Sequence, residues 1–136
     1  MAAVWPGVRI AGIEQPELHI HPKLQVVLGD LFILAVRNEL ESRGSVYPHR
    51  RFIIETHSEY LLLRLLRRIR EHSSGDVPEW CEPFRPEDLC VSYVEESTST
   101  DGGPTVVMRR LRVDERGEFI DRWPDGFFEE RAEELF

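Results

Sequence analysis

The sequence predicts an α/β fold: a β-α-β-α succession building a partial parallel sheet, then a small antiparallel hairpin or meander and a C-terminal helix. Two short apolar runs, residues 8–13 and 51–56, each lead into a segment of helical period, the pattern of strands covered by helices. Beyond residue 72 that period gives way to alternation, clearest in Val107, Arg109, Leu111 and Val113, which marks a half-exposed strand. Clusters of Gly, Pro, Ser and Asp separate the elements.

Residues 8–13 are apolar apart from Arg9 and follow Pro6 and Gly7, so they read as a short buried strand. Pro22 suits the first turn of a helix, where its missing N–H costs nothing. Leu24, Val27, Leu28, Leu31, Phe32, Ala35 and Val36 then keep a helical period, and Gly44 is the natural stop. Residues 51–56, RFIIET, form the second strand. Ser58 is a good N-cap for a helix whose Leu62, Leu65, Leu66 and Ile69 share one face. Arg64, Arg67, Arg68 and Arg70 fill much of the remainder and read as a solvated face. Residues 73–86 are loop-like. Residues 89–94 and 105–113 predict a hairpin around the turn cluster STSTDGGP, and residues 117–120 a third short strand. Asp125 and Gly126 precede a final acidic helix with Phe127, Phe128, Ala132 and Leu135. The chain therefore divides into a lobe at 1–72 and a β-rich appendage at 73–136.

At 136 residues the chain can bury a core, and its 41% hydrophobic and 31% charged composition is that of a folded protein. A formal charge of −8 argues against wholesale nucleic-acid affinity. Cys81 and Cys90 are too few for a disulfide framework and lack zinc-type spacing, so buried free thiols are expected. Residues 24–36, broken by Asp30, fall short of the ~20 residues a membrane helix needs. With no secretory signal visible at the start, a cytoplasmic location and no membrane partner are expected.

The chemistry concentrates where the two strands end. In open α/β sheets ligands bind at the carboxyl ends of the strands. The first strand runs into Glu14-Gln15-Pro16; a carboxylate there suits hydrated Mg²⁺, whose sites use few protein carboxylates. The following residue, Gln15, is placed to orient a water attacking a phosphate. His57, just past the second strand, suits a hydrogen bond to a terminal phosphate oxygen or to that water.

These two segments, IEQPELHIHP at residues 13–22 and FIIETHS at residues 52–58, resemble the Walker B and switch-histidine segments of ABC-type ATPases of the SMC, RecF and OLD group, often labelled AAA-family. The tail, from VSYVEE onward, is similar to a C-terminal domain of unknown function attached to one branch of them. The resemblance covers nearly the whole chain, and its most specific part is the ten contiguous residues of the Walker B match. It implies a partial P-loop NTPase sheet and a nucleotide site between two heads. It also implies roles: Glu14 supporting Mg²⁺, Gln15 standing where the group usually has a catalytic glutamate, and His57 sensing the γ-phosphate of ATP. Glu17, His19 and His21 would shape the turn and the helix start.

Two departures qualify it. No GxxxxGK[ST] occurs, so the loop that cradles phosphates is absent from this sequence. Only thirteen residues precede Glu14, so a truncated or split product is expected, its phosphate-gripping half supplied by a partner chain or lost. Gln15 is an amide and cannot take a proton as a carboxylate can, although it can still position water. The expected function is thus the C-terminal lobe of a Mg²⁺-dependent ATPase whose heads dimerise, inactive alone. A non-catalytic module docking on a partner ATPase or nucleic acid is the alternative, the arginines with Arg50 and Arg51 being a candidate basic patch. A third reading takes His19, His21 and an acid as a metal-dependent hydrolase site.

Overall fold

Every polar backbone group in a strand seeks a neighbour, and here the two predicted strands find each other. The computed structural model describes residues 10–37, 51–98 and 102–123. β1 (Ile10–Glu14) pairs in parallel with β2 (Arg51–Glu55), Ile10 beside Arg51 and Glu14 beside Glu55. α1 (Pro22–Arg37) connects outward from β1, and α2 (Glu59–Ser74) follows β2. One sheet face, carrying Ala11, Ile13, Phe52 and Ile54, is partly buried; Phe52 meets Phe32 of α1 with ring centroids 5.5 Å apart. The other face is bare, with Ile10 59% and Ile53 67% exposed.

α2 begins as its sequence demands. Ser58 Oγ accepts from the Leu61 backbone N–H at 3.1 Å, satisfying one of the free donors of the first turn. It ends at Gly75, whose N–H returns to His72 O while Asp76 N–H returns to Glu71 O. Leu61, Leu65 and Ile69 of this helix pack with Ile33 of α1 and with Cys81 and Phe84 from the following segment, and Leu89 and Val113 join the cluster. Residues from both sides of the boundary near residue 72 therefore share one hydrophobic core. The helices cross closely because α1 presents Gly29 to α2: a Cβ there would lie 2.9 Å from Arg64 Cγ.

The arginine face of α2 is solvated only in part: Arg67 and Arg70 are exposed as the sequence suggested, Arg64 is half-buried and Arg68 is buried. Arg68 is 4% exposed and reaches α1, its Nε donating to Asp30 Oδ1 at 2.8 Å and its Nη2 to Asp30 Oδ2 at 3.1 Å. Nη1 donates to Glu71 Oε2, and the guanidinium lies 4.8 Å from the centroid of the Trp80 ring. The hydrogen bond from Asp30 makes this guanidinium harder to deprotonate than usual, burial opposing and Glu71 assisting. Burial pushes the Glu71 carboxyl up, but bonds from Arg67 and Arg68 outweigh it and hold it below the usual range. Asp30, which interrupts an apolar run in the sequence, is the buried partner that makes Arg68 tolerable.

The appendage is a hairpin, β3 (Val91–Thr98) antiparallel to β4 (Pro104–Leu111), preceded by a 3-10 turn at Pro86–Asp88. β3 runs further than expected, absorbing Ser97 and Thr98 of the turn cluster, since each finds a partner in Thr105 and Pro104. The expected strand at 117–120 is reduced to one bridge, Val113 to Phe119. The turn before it docks on α2: Arg70 Nε donates to Arg116 O at 3.0 Å and Ser73 Oγ donates to Glu115 O. Gly117, at φ 68°, sits so close that a Cβ would lie 2.1 Å from Leu66 O. Cys81 is buried, which pushes its thiol pKa up, whereas Cys90 is exposed, contrary to expectation. The stop at Gly44 and the helix after Gly126 lie outside the described residues. Among the described residues no helix is long and apolar enough to cross a membrane.

Candidate functional site

Parallel pairing in register brings the ends of β1 and β2 to one rim. Glu14 and Glu55 are lateral neighbours, both exposed on the bare face. The ladder continues one step, Gln15 N–H donating to Glu55 O at 2.8 Å. The chain then turns sharply. Gln15 has φ 42°, a left-handed conformation uncommon for a residue with a side chain and adopted here just before Pro16. His19 has φ 62° in the same turn. Such residues cost on the order of 1–3 kcal/mol each and persist where surrounding contacts dictate them.

Those contacts come from the turn after β2. The His57 backbone N–H donates to Glu17 Oε1 at 2.7 Å. Ser58 Oγ donates to Gln25 Oε1 at 2.6 Å, and Gln25 Nε2 donates to Ile20 O at 2.9 Å. Ser58 N–H is taken by Thr56 Oγ1 at 3.0 Å. The two strand-end turns are thus fastened at Gln15–Glu55, His57–Glu17 and Ser58–Gln25. Glu14, Gln15 and His57 lie on this shared rim, Gln15 half-buried and the other two exposed.

His21 is engaged differently from His57. Its carbonyl accepts from Leu24 and Gln25 N–H at the start of α1, and its Nδ1 accepts from Lys23 N–H at 3.2 Å. That is a helix-capping role. Among the described residues no three His, Cys, Asp or Glu side chains group closely enough to hold an ion. Glu14 and Glu55 instead offer two hard oxygen donors side by side with no partner among the described residues. Like charges at directly opposed strand positions destabilise a sheet, and a hydrated divalent cation would relieve that repulsion.

Sequence reasoning missed the fastening itself. Glu17, expected to shape its own turn, instead binds the turn of the neighbouring strand, and so does Gln25, to which the sequence pattern assigns no role. The signal for Gln25 is a polar residue in the first turn of the helix, between the apolar Leu24 and Val26. For Glu17, nothing in the spacing points to a backbone N–H 40 residues away.

Comparison with known proteins reaches only the appendage. Residues 85–136 match the model of a family described as a protein of unknown function, DUF3696. No curated protein and no solved structure matches the chain. The match begins at Arg85 and takes in the hairpin; Glu14, Gln15 and His57, at the ends of β1 and β2, lie outside it.

Proposed function

We propose that this chain is the C-terminal lobe of an ABC-type ATPase of the SMC, RecF and OLD group, a partial P-loop NTPase sheet that acts once a P-loop-bearing polypeptide joins it. The observation that carries this reading is the in-register ending of β1 and β2, which aligns Glu14 and Gln15 with the turn holding His57. The bare side of the sheet supports it too. Parallel sheets are found with both faces covered, yet Ile10 and Ile53 face outward here. α1 adds exposed Leu24, Val27 and Leu31, an apolar stripe beyond the one it turns to α2.

The residues present fit Mg²⁺: Glu14, with Glu55 adjacent, would hold a hydrated ion through carboxylate oxygen. Bound there, the ion would neutralise charge on the β- and γ-phosphates of ATP. Gln15, with its backbone fixed to β2, orients the attacking water through its amide. His57, exposed on a tethered backbone, donates to the γ-phosphate. ATP lies between two such heads, and its hydrolysis lets them part. Without a carboxylate at position 15 turnover is slow, since a general base contributes about 10²–10⁴-fold.

The test is ATP turnover by the chain joined to a polypeptide carrying GxxxxGK[ST]. Glu14→Gln and His57→Ala should each abolish it, and Gln15→Glu should raise it. Normal turnover in the first two variants overturns the reading. The chain alone should show no Mg-ATP binding in the micromolar range by calorimetry. The exposed apolar surface also supports a second reading, a non-catalytic module docked on a partner ATPase; turnover that is insensitive to all three residues while the complex still forms would favour it.

A further inference from the structure

We infer that Glu17 is the positioning residue that holds the switch histidine against the Walker B turn, an inference that rests on the ATPase reading above. Thr56, His57 and Ser58 lie between β2 and α2, and although Ser58 O takes the first helical bond from Leu62 N–H, their own N–H groups belong to neither hydrogen-bonding pattern. These donors must find partners elsewhere. Ser58 is served locally by Thr56, but the His57 N–H is served from across the rim by Glu17 Oε1 at 2.7 Å. A bond to a carboxylate is shorter and stronger than one to a neutral acceptor.

Glu17 is itself seated in the strained turn. Its carbonyl accepts from Ile20 N–H at 3.0 Å, and Gln15 O accepts from Leu18 N–H at 3.0 Å. Displacement of Gln15 is therefore passed to Glu17, and from Glu17 to the histidine backbone. The second carboxylate oxygen, Oε2, is buried and has no hydrogen-bond partner among the described residues. Burying an unpaired charged oxygen is costly, and a local acceptor for one N–H could be had from a neutral side chain. The water-orienting residue and the phosphate-sensing residue are held as one unit, with the Glu17 carboxylate as the coupling.

The experiment has two arms. In the full chain, amide exchange by NMR should find the His57 N–H protected in the wild type and in Glu17→Gln, which keeps an acceptor oxygen. In Glu17→Ala that N–H should exchange freely, while the Leu61 N–H, bound to Ser58, stays protected. In the chain joined to its P-loop partner, Glu17→Ala should lower kcat on the order of 10²-fold, the scale of misplacing a reacting group, with KM for ATP unchanged. Glu17→Gln should recover most of that loss, which a general folding defect would not allow.

A His57 amide unprotected in the wild type overturns the coupling and leaves the ATPase reading standing. So does an alanine variant with unchanged kcat. A wild-type assembly that turns over no ATP overturns both.

Discussion

The two ends of this molecule are finished to different degrees. Around α2 the buried groups are answered from within: Arg68 has Asp30, Glu71 and the Trp80 ring, Ile69 is 0% exposed, and Gly117 meets Leu66 O. At the sheet, among the described residues, β1 and β2 pair only with each other, and the face bearing Ile10 and Ile53 meets nothing. A two-stranded parallel sheet has too little burial to stand by itself. The contrast separates a part of the fold whose apolar surface is buried among the described residues from a part whose apolar surface is left open.

That contrast can be broken by substitution. Arg68→Ala should cause the largest loss, about 3–5 kcal/mol, because it takes both hydrogen bonds from the buried Asp30, leaving it the looser Arg64 contact at 3.6 Å, and removes a partner of Glu71; chemical denaturation of the isolated chain measures it. Ile69→Ala should follow at about 2–4 kcal/mol through a cavity in the core. Both positions belong to the self-sufficient end. Ile53→Asp, at the unfinished end, should change the isolated chain by less than about 0.5 kcal/mol, yet prevent association with the P-loop partner in a pull-down. A large loss of stability from Ile53→Asp in the chain alone would show that its own residues cover that face.

The smallest effect belongs to the surface of the appendage. Side-chain bonds from Arg112, then its backbone N–H, lower the Asp121 carboxyl to about 2. A carboxyl lowered on folding adds stability above its unfolded value, and that contribution is lost as pH falls toward 2. NMR titration should place the Asp121 midpoint there and Arg112→Ala should return it to the ordinary carboxylate range, with little change in stability at neutral pH.

Much of the frame was legible because local chemistry dictated it. The Ser58 cap, Pro22 at the first turn of α1 and the apolar middles of both strands each name their element without help from the rest of the chain. The rim was legible for the same reason: a strand end is a local event, and two of them adjoin when the strands are parallel. What the sequence concealed was long-range. An arginine on a basic helix looks solvated until its distant aspartate is known, and Glu17 looks like a turn residue until the histidine amide arrives beside it. Gly29 in mid-helix was a usable sign of close helix approach. The hairpin's true length was hidden because Ser97 and Thr98 serve as well in a strand as in a turn.

α2 joins the two ends physically. It starts two residues after His57, and its later turns grip the carbonyls of Glu115 and Arg116. Sixteen residues make a rod about 24 Å long. A tilt of about 10° at the histidine end would swing the other end through about 4 Å. With Gly117 leaving no slack against the rod, the turn at Glu115–Gly117 must ride with it, like a pointer fixed to its shaft.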